Sequence, residues 1–600
     1  MSTSKREGNE STPLRVGRRT VLAGLGALTL LGGVVGAKPG KSNGKKDQSA
    51  VGAGGGPGVA TAIEQNTLKQ RLTSVYQFRQ QTAHDDVMPP QPPAQLNNGD
   101  RELGSWAVYG KCLKHDVVEE NGEPVFGYPN PDAVERMIGE IKGTDTLHPD
   151  DIAGDRGLVN PRSAKTYGLV GRDWYDVTIP PAPSVTSDET GAELVELYWQ
   201  SLLRDTAFLD FRDDETAKHA AMELAMLDVF TGPTPVVSDD GTVPVDAPPD
   251  LHLFRGTLPG STIGPHVSQF LLHSIPRTEG LIQDQKYFLA PEADYMTDVA
   301  DWLSVQQGVT PQAFTLNEDD RRFIHDGRGL TTAVHFDAIF ELPMNAALIL
   351  FGDGYVDQDF ALSFDLLGKT EIEEGFVDFG IGDVLTAVAD VSRPALHAAW
   401  VQKWDVHLRP RPEALGGAVN ATMQGYVDYS DHLSSTILDS YALEAAEAAN
   451  GSYLLSQAFP EGSPCHPSYP AGHSSFSGAC VTVLKAYFDE DAEILNPVFT
   501  DPTGSDLLYY TDDLPWYDGP LTVGHELNKL ADNIAIGRNW AGIHYRTDAT
   551  AGYRLGEAIA LAYLVDRART YADSYGFDGF SLTTFDGETV HITADGVEYL

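Results

Sequence analysis

Apolar residues recur at helical spacing most strongly between about residues 385 and 575. Leu396, Ala399, Trp400 and Lys403 fall at i, i+3, i+4 and i+7 behind Ser392-Arg393-Pro394, a cap candidate with a proline that predicts a helix start. A second stripe, Phe476, Cys480, Leu484 and Tyr487, has His473 in line at its beginning, just after Pro470-Ala471-Gly472. Leu527, Leu530, Ala531 and Ile534 form a third stripe, closed by Arg538. Past Asn539-Trp540-Ala541-Gly542 a fourth runs through His544, Asp548, Ala551, Leu555 and Ile559. Upstream, Ala62–Thr82 lacks Pro and Gly and predicts a helix, whereas 84–260 alternates Pro, Asp and Gly with short apolar runs, which predicts long loops between helices. Turn signals flanking Thr589-Val-His-Ile-Thr593 predict a small terminal hairpin. Length alone would allow two to four domains. The patterning shows no break, and it predicts a mainly α fold: one large helical-bundle domain over 59–600, with long loops and a few short β-hairpins.

Charge adds a constraint on partners. The chain holds 42 Lys and Arg against 86 Asp and Glu, for a net charge of -44. The first fifty residues carry nine basic and three acidic side chains, so the acidity belongs to the remainder. Such a surface repels a phosphate backbone and excludes nucleic acid as a partner. It suits high salt, where screening suppresses self-repulsion, and a halophilic protein is the expectation. Acidic stretches such as Asp353-Gly-Tyr-Val-Asp357-Gln-Asp359 make calcium a second candidate cofactor, although none has the EF-hand spacing.

Two further features bear on location. Gly17-Arg18-Arg19-Thr20-Val21-Leu22 precedes an apolar run to Ala37 that is short for a membrane span. Residues 1–37 therefore read as a twin-arginine export signal, with a retained anchor as the alternative, and 38–58 as a flexible Gly/Lys/Ser linker. The mature protein is expected outside the cell or on the outer face of its envelope. No integral membrane partner is expected. The three cysteines, Cys112, Cys465 and Cys480, form no framework, leave at least one unpaired, and read as small buried apolar residues.

The chemistry sits where polar side chains interrupt apolar stripes. A lone inward histidine is usually a satisfied core residue, and a lone arginine ending a stripe usually reaches back to solvent. Here Lys403, His473, Arg538 and His544 all break such stripes, Arg411 is held between two prolines, and Gly472 opens a helix. Buried cations need an anionic partner. One tetrahedral oxyanion would account for all of them: lysine and arginine supply charge-assisted donors, and the amide at a helix start supplies another.

These residues resemble the three-segment site shared by vanadium-dependent haloperoxidases and type 2 phosphatidic acid phosphatases. That pattern is carried here by Lys403 with Arg411-Pro412, by Pro470-Ala471-Gly472-His473, and by Gly537-Arg538 with His544 and Asp548. Seven residues separate Lys403 from Arg411, and His466 stands seven positions before His473 within Cys465-His-Pro-Ser-Tyr-Pro-Ala-Gly-His473. Both details resemble the algal bromoperoxidase branch in particular. The resemblance implies one vanadate per subunit, bound through a ring nitrogen of His544, with Lys403, Arg411, Arg538 and the Gly472 amide on its oxygens. It implies His473 as the acid/base toward hydrogen peroxide, His466 on the halide side and Asp548 behind His544. The implied substrates are hydrogen peroxide, bromide or iodide, and a small organic acceptor, and the implied assembly is a homo-oligomer. The pattern departs at Ala471, where the family has a serine whose hydroxyl bonds an equatorial vanadate oxygen. Two other readings stay open on these residues. One is an acid phosphatase working through a phosphohistidine at His544; the other is an oxyanion binder without activity.

Overall fold

The computed structural model describes residues 95–166, 172–278, 280–335, 337–352, 355, 375–571 and 575–600. The expected export signal, linker and Ala62–Thr82 helix lie outside them, as does the 353–359 acidic stretch apart from Tyr355. The described chain is mainly helical, and its short strands pair into five small antiparallel sheets. Seven helices matter for the site: α1 (Asp188–Leu202), α2 (Gly327–Ala333), α3 (Ile381–Val401), α4 (Pro412–Met423), α5 (Gly472–Tyr487), α6 (Val523–Trp540) and α7 (Arg546–Thr570).

The centre of the bundle is α5, which packs along α7, α3 and α6. Every residue of α5 except His473 is buried. A helix enclosed on all sides needs small contacts, and α7 supplies them. A Cβ on Gly552 would stand 1.8 Å from the Ser474 Oγ, and one on Gly556 would stand 2.2 Å from the Ser475 carbonyl oxygen. Only glycine lets the two backbones come this close, and that approach brings the N-terminal turns of α5 and α7 together. The Ala471 N–H donates to the Asp548 carbonyl at 2.9 Å across the junction.

Several expectations change. Helix α3 does not start at Pro394; it starts at Ile381 and carries the proline inside. Pro394 has no N–H, so the turn before it loses a hydrogen bond. The Ser392 hydroxyl donates to the Ala389 carbonyl at 2.7 Å, beside the Asp390 carbonyl that residue 394 would otherwise have served. The true N-terminus is tied down by Asp383, which accepts from the Phe379 N–H and the Tyr571 hydroxyl, each at 2.9 Å. Lys403 is not on the regular helix. Residues Gln402–His407 form a π-helical turn, and Leu408 closes it in the left-handed region at φ 51°. Helix α7 begins at Arg546, so His544 precedes it rather than lying on its face. The C-terminal hairpin is part of a three-stranded antiparallel sheet, Phe580–Thr583, Thr589–Thr593 and Gly596–Tyr599.

The cysteine expectation is corrected for two residues of three. Cys112 and Cys465 form a disulfide across 353 positions, while Cys480 is free and buried. A link that long leaves no spacing signature. It anchors an N-terminal loop to the residue directly before His466. Among the described residues no helix is long and apolar enough to cross a membrane.

Candidate active site

Three stretches of backbone meet at the N-terminal end of α5. The π turn after α3 delivers Lys403, whose buried ammonium donates to the Pro467 and Ser468 carbonyls at 2.8 and 2.6 Å. A π turn widens the helix by a residue and is a recurrent device at functional sites. Here it turns the side chain into the bundle. Arg411 caps the start of α4, with Pro412 at the first helical position. Its guanidinium donates to the His466 carbonyl at 2.9 Å and the Ile543 carbonyl at 2.8 Å, so it joins the second and third segments.

Arg411 also fixes a histidine tautomer. Its Nη1 donates to Nε2 of His544 at 2.9 Å, so that nitrogen carries the lone pair. On the other side His544 donates Nδ1–H to Asp548 Oδ2 at 2.7 Å. The contact arises from capping rather than from a shared helix face. Asp548 stands in the first turn of α7 and reaches back to the Tyr545 N–H at 3.1 Å as well as to His544. The Ser468 hydroxyl donates to the same carboxylate oxygen. The result is a neutral imidazole with Nε2 turned toward the cations, the form that a metal ligand or a nucleophile requires.

Electrostatics agree with this state. Burial, then Arg411, hold His544 well below the usual imidazole range, and Asp548 only partly opposes them. Burial would raise Asp548, but Arg409 and the His544 bond outweigh it and keep the carboxylate ionised. Burial pushes Lys403 well below the ordinary lysine range, and Arg411 and Arg538 add to the effect. Arg411 is lowered by burial, and Arg538 is brought down to about 10 by the same cause. Arg411 thus depresses both Lys403 and Arg538, and an oxyanion is the ligand that reverses this.

Arg538, at the end of α6, donates Nη1–H to the Val334 carbonyl just beyond α2 at 2.9 Å. Its buried Nε has no hydrogen-bond partner among the described residues. A desolvated guanidinium N–H without an acceptor costs about 1–3 kcal/mol or more, and an oxyanion oxygen would satisfy it. Gly472 is the first residue of α5, where the amide has no intrahelical acceptor. A Cβ there would meet only Trp400 and Leu396, at 3.4 and 3.5 Å, so the protein's own packing does not demand glycine. An orphan Nε, an excess of buried cations and a bare helix amide fit a tetrahedral oxyanion.

The two remaining histidines differ. His473 keeps 24% side-chain exposure and donates to Asp337 Oδ1 at 3.3 Å. Burial, then Arg538, lower its pKa, and Asp337 opposes them. It stands at the solvent side of the cage, where a proton can enter or leave. His466 Nδ1 lies 3.0 Å from Arg411 Nη2 and 3.1 Å from the Pro467 carbonyl. It accepts from the arginine or donates to the carbonyl, but not both, and its ring lies 4.8 Å from Trp400.

All eight residues expected from the sequence gather here. Sequence reasoning missed Ser468, Arg409, Glu193 and Asp337. The first two sit inside the motif segments, in His466-Pro-Ser-Tyr-Pro470 and Arg409-Pro-Arg-Pro412, so a search for every polar side chain in those runs would have found them. Glu193 on α1 and Asp337 after α2 are far from the motifs in sequence and gave no sign.

Comparison with known proteins agrees with this geometry. Residues 387–574 match the family described as the VCPO second helical-bundle domain. The chain is 34% identical over 518 residues to a vanadium-dependent bromoperoxidase of Ascophyllum nodosum, covering 84% of this chain and 89% of that one. It is 36% identical over 490 residues to the vanadium-dependent bromoperoxidase of Corallina pilulifera, covering 73% and 80%. The fold is similar to the homohexameric second vanadate-dependent bromoperoxidase of Ascophyllum nodosum, with a TM-score of 0.76 at 26% identity over 93% of this chain and 96% of that one. With a neutral His544 backed by Asp548 beneath three buried cations, and relatives of this extent, the chain belongs to the vanadium-dependent haloperoxidase family and is an enzyme of that kind.

Proposed function

We propose that this enzyme uses hydrogen peroxide to oxidise bromide or iodide and so halogenates small organic acceptors. The observation that carries the reading is His544, held as the Nδ1–H tautomer by Asp548, with Nε2 accepting from Arg411, which together with Arg538 depresses the buried Lys403. His544 and those cations would hold vanadate, which would supply a Lewis acid toward peroxide. Arg411, Lys403 and Arg538 balance the oxyanion charge, the Gly472 amide adds a donor, and His473 takes and returns the proton. His466, beside Trp400, faces the halide side.

We further propose that the enzyme is exported and works outside the cell. The paired arginines Arg18-Arg19 support this, as does the Cys112–Cys465 disulfide, a bond favoured in oxidising compartments. A homo-oligomer is the proposed assembly, supported by the homohexameric relative. The test of the activity is bromination of a dye by purified enzyme with orthovanadate, peroxide and bromide, repeated with iodide. Bromination supports the proposal. Hydrolysis of p-nitrophenyl phosphate without halogenation would assign the same residues to a phosphatase with His544 as nucleophile.

A further inference from the structure

Asp548 is held from behind by a chain of buried charges that the cage does not need for contact with its ligand. Its Oδ2 accepts from His544, Ser468 and the Tyr545 N–H, and its Oδ1 accepts from Arg409 Nη1 at 2.9 Å. Arg409 in turn donates Nη2–H to Glu193 Oε2 at 2.8 Å and Nη1–H to the Thr547 hydroxyl at 2.9 Å. Glu193 Oε1 accepts from the Thr547 N–H, so the same carboxylate grips both the arginine and the first turn of α7. The guanidinium carbon lies over the Tyr545 ring, 3.8 Å from its centre. Side-chain exposures are 6% for Glu193, 1% for Arg409 and 0% for Asp548.

Burying three charges this deeply contributes little to stability alone, because desolvation offsets much of the attraction. The arrangement does something an apolar filling cannot. A carboxylate free to turn about its last bond would present either oxygen, at varying angle, to His544. With Oδ1 accepting from Arg409 Nη1, Asp548 keeps Oδ2 on Nδ1 of His544, and Nε2 keeps its lone pair toward Arg411. Glu193 holds the other nitrogen, Nη2, so the guanidinium is fixed between two carboxylates.

We propose that Glu193 and Arg409 are positioning residues that act through Asp548 to set the orientation and tautomer of His544, and thereby the affinity of the site for its oxyanion. The proposal rests on the oxyanion reading of the cage. Groups behind a metal-bound histidine typically alter affinity 10- to 100-fold.

The test compares wild type, Glu193→Gln, Arg409→Lys, Asp548→Asn and the double variant Glu193→Gln/Asp548→Asn. Orthovanadate affinity is measured by equilibrium dialysis, with inorganic phosphate as competitor, and the His544 tautomer is read from its 15N shifts. Glu193→Gln and Arg409→Lys should weaken vanadate about tenfold or more and mix the His544 tautomers. The double variant should bind no more weakly than Asp548→Asn alone, because the effect passes through Asp548. A purely structural role predicts additive losses with an unchanged tautomer signature, and that result overturns the proposal. Wild-type affinity in Glu193→Gln overturns it equally. Should Glu193→Gln fail to fold, Glu193→Asp, one methylene shorter with the charge kept, is judged by the same outcomes. Binding of neither oxyanion by wild type would instead overturn the reading of the cage itself, and the proposal with it.

Discussion

Ala471→Ser restores the hydroxyl at the position where the family pattern has it, and two physical effects compete for that oxygen. Ala471 is the N-cap of α5, fully buried, at φ -67° and ψ 132°, with no side-chain cap. This is the backbone geometry in which serine caps a helix, an effect of about 1 kcal/mol on stability. The alternative acceptor is an oxyanion oxygen held by Lys403, Arg411 and Arg538. A hydrogen bond to a charged group contributes about 1.5–3 kcal/mol, which corresponds to roughly 12- to 150-fold in affinity. The bond to the charged oxygen is the stronger of the two, so the hydroxyl should turn to the anion. The expected outcome is vanadate bound about tenfold more tightly, with a slightly raised melting temperature in the vanadate-free protein, where the hydroxyl has only the helix start to cap. Equilibrium dialysis and thermal unfolding of the vanadate-free protein separate the two effects. Unchanged vanadate affinity would show that the hydroxyl stays on the helix start even with the anion present, and would refute the expected bond to the oxyanion.

Gly556→Ala should destabilise the fold by about 1–3 kcal/mol, since its Cβ would lie 2.2 Å from the Ser475 carbonyl oxygen; chemical denaturation measures it, and a neutral result would mean that α5 and α7 can separate without loss. Glu557 is raised to about 7 by burial, even as it accepts the Phe585 N–H at 2.8 Å. Its folded form therefore holds the proton more tightly than the unfolded chain, so the contribution is complete below about pH 4.5 and is lost as pH rises through about 7. Glu557→Gln, which mimics the protonated acid, should be more stable than wild type at pH 8 by up to about 3 kcal/mol and indistinguishable from it at pH 4; equal stability of the two proteins at pH 8 would contradict this. With a net charge of -44, the protein should unfold or lose its melting transition on dialysis from molar salt into dilute buffer, and an unchanged transition would show that its acidic surface is not a salt adaptation.

The parts of the site that are legible in the sequence are those where burial and charge conflict. Arg538 ending an apolar stripe, and His473 opening one, are visible because helical spacing predicts which positions turn inward. Lys403 stands out for the right reason on the wrong geometry: the stripe predicts an inward side chain, but periodicity carries no sign of the π turn that aims it. Pro394 misleads because proline is commonest in a first turn, whereas here it sits mid-helix in α3, which packs against α5. Glu193, Asp337 and the Cys112–Cys465 disulfide lie hundreds of residues or several elements from their partners. Each is an ordinary surface-type or apolar residue in its local context, and tertiary contact alone gives it a role.

In the proposed function, the cage built by Lys403, Arg411, Arg538 and His544 binds one vanadate through His544. Elemental analysis after dialysis against orthovanadate and removal of the free ion tests it directly. Wild type should hold one vanadium per chain, displaced by excess phosphate, and His544→Ala little or none. Vanadium retained equally by His544→Ala, or absent from wild type, would contradict it.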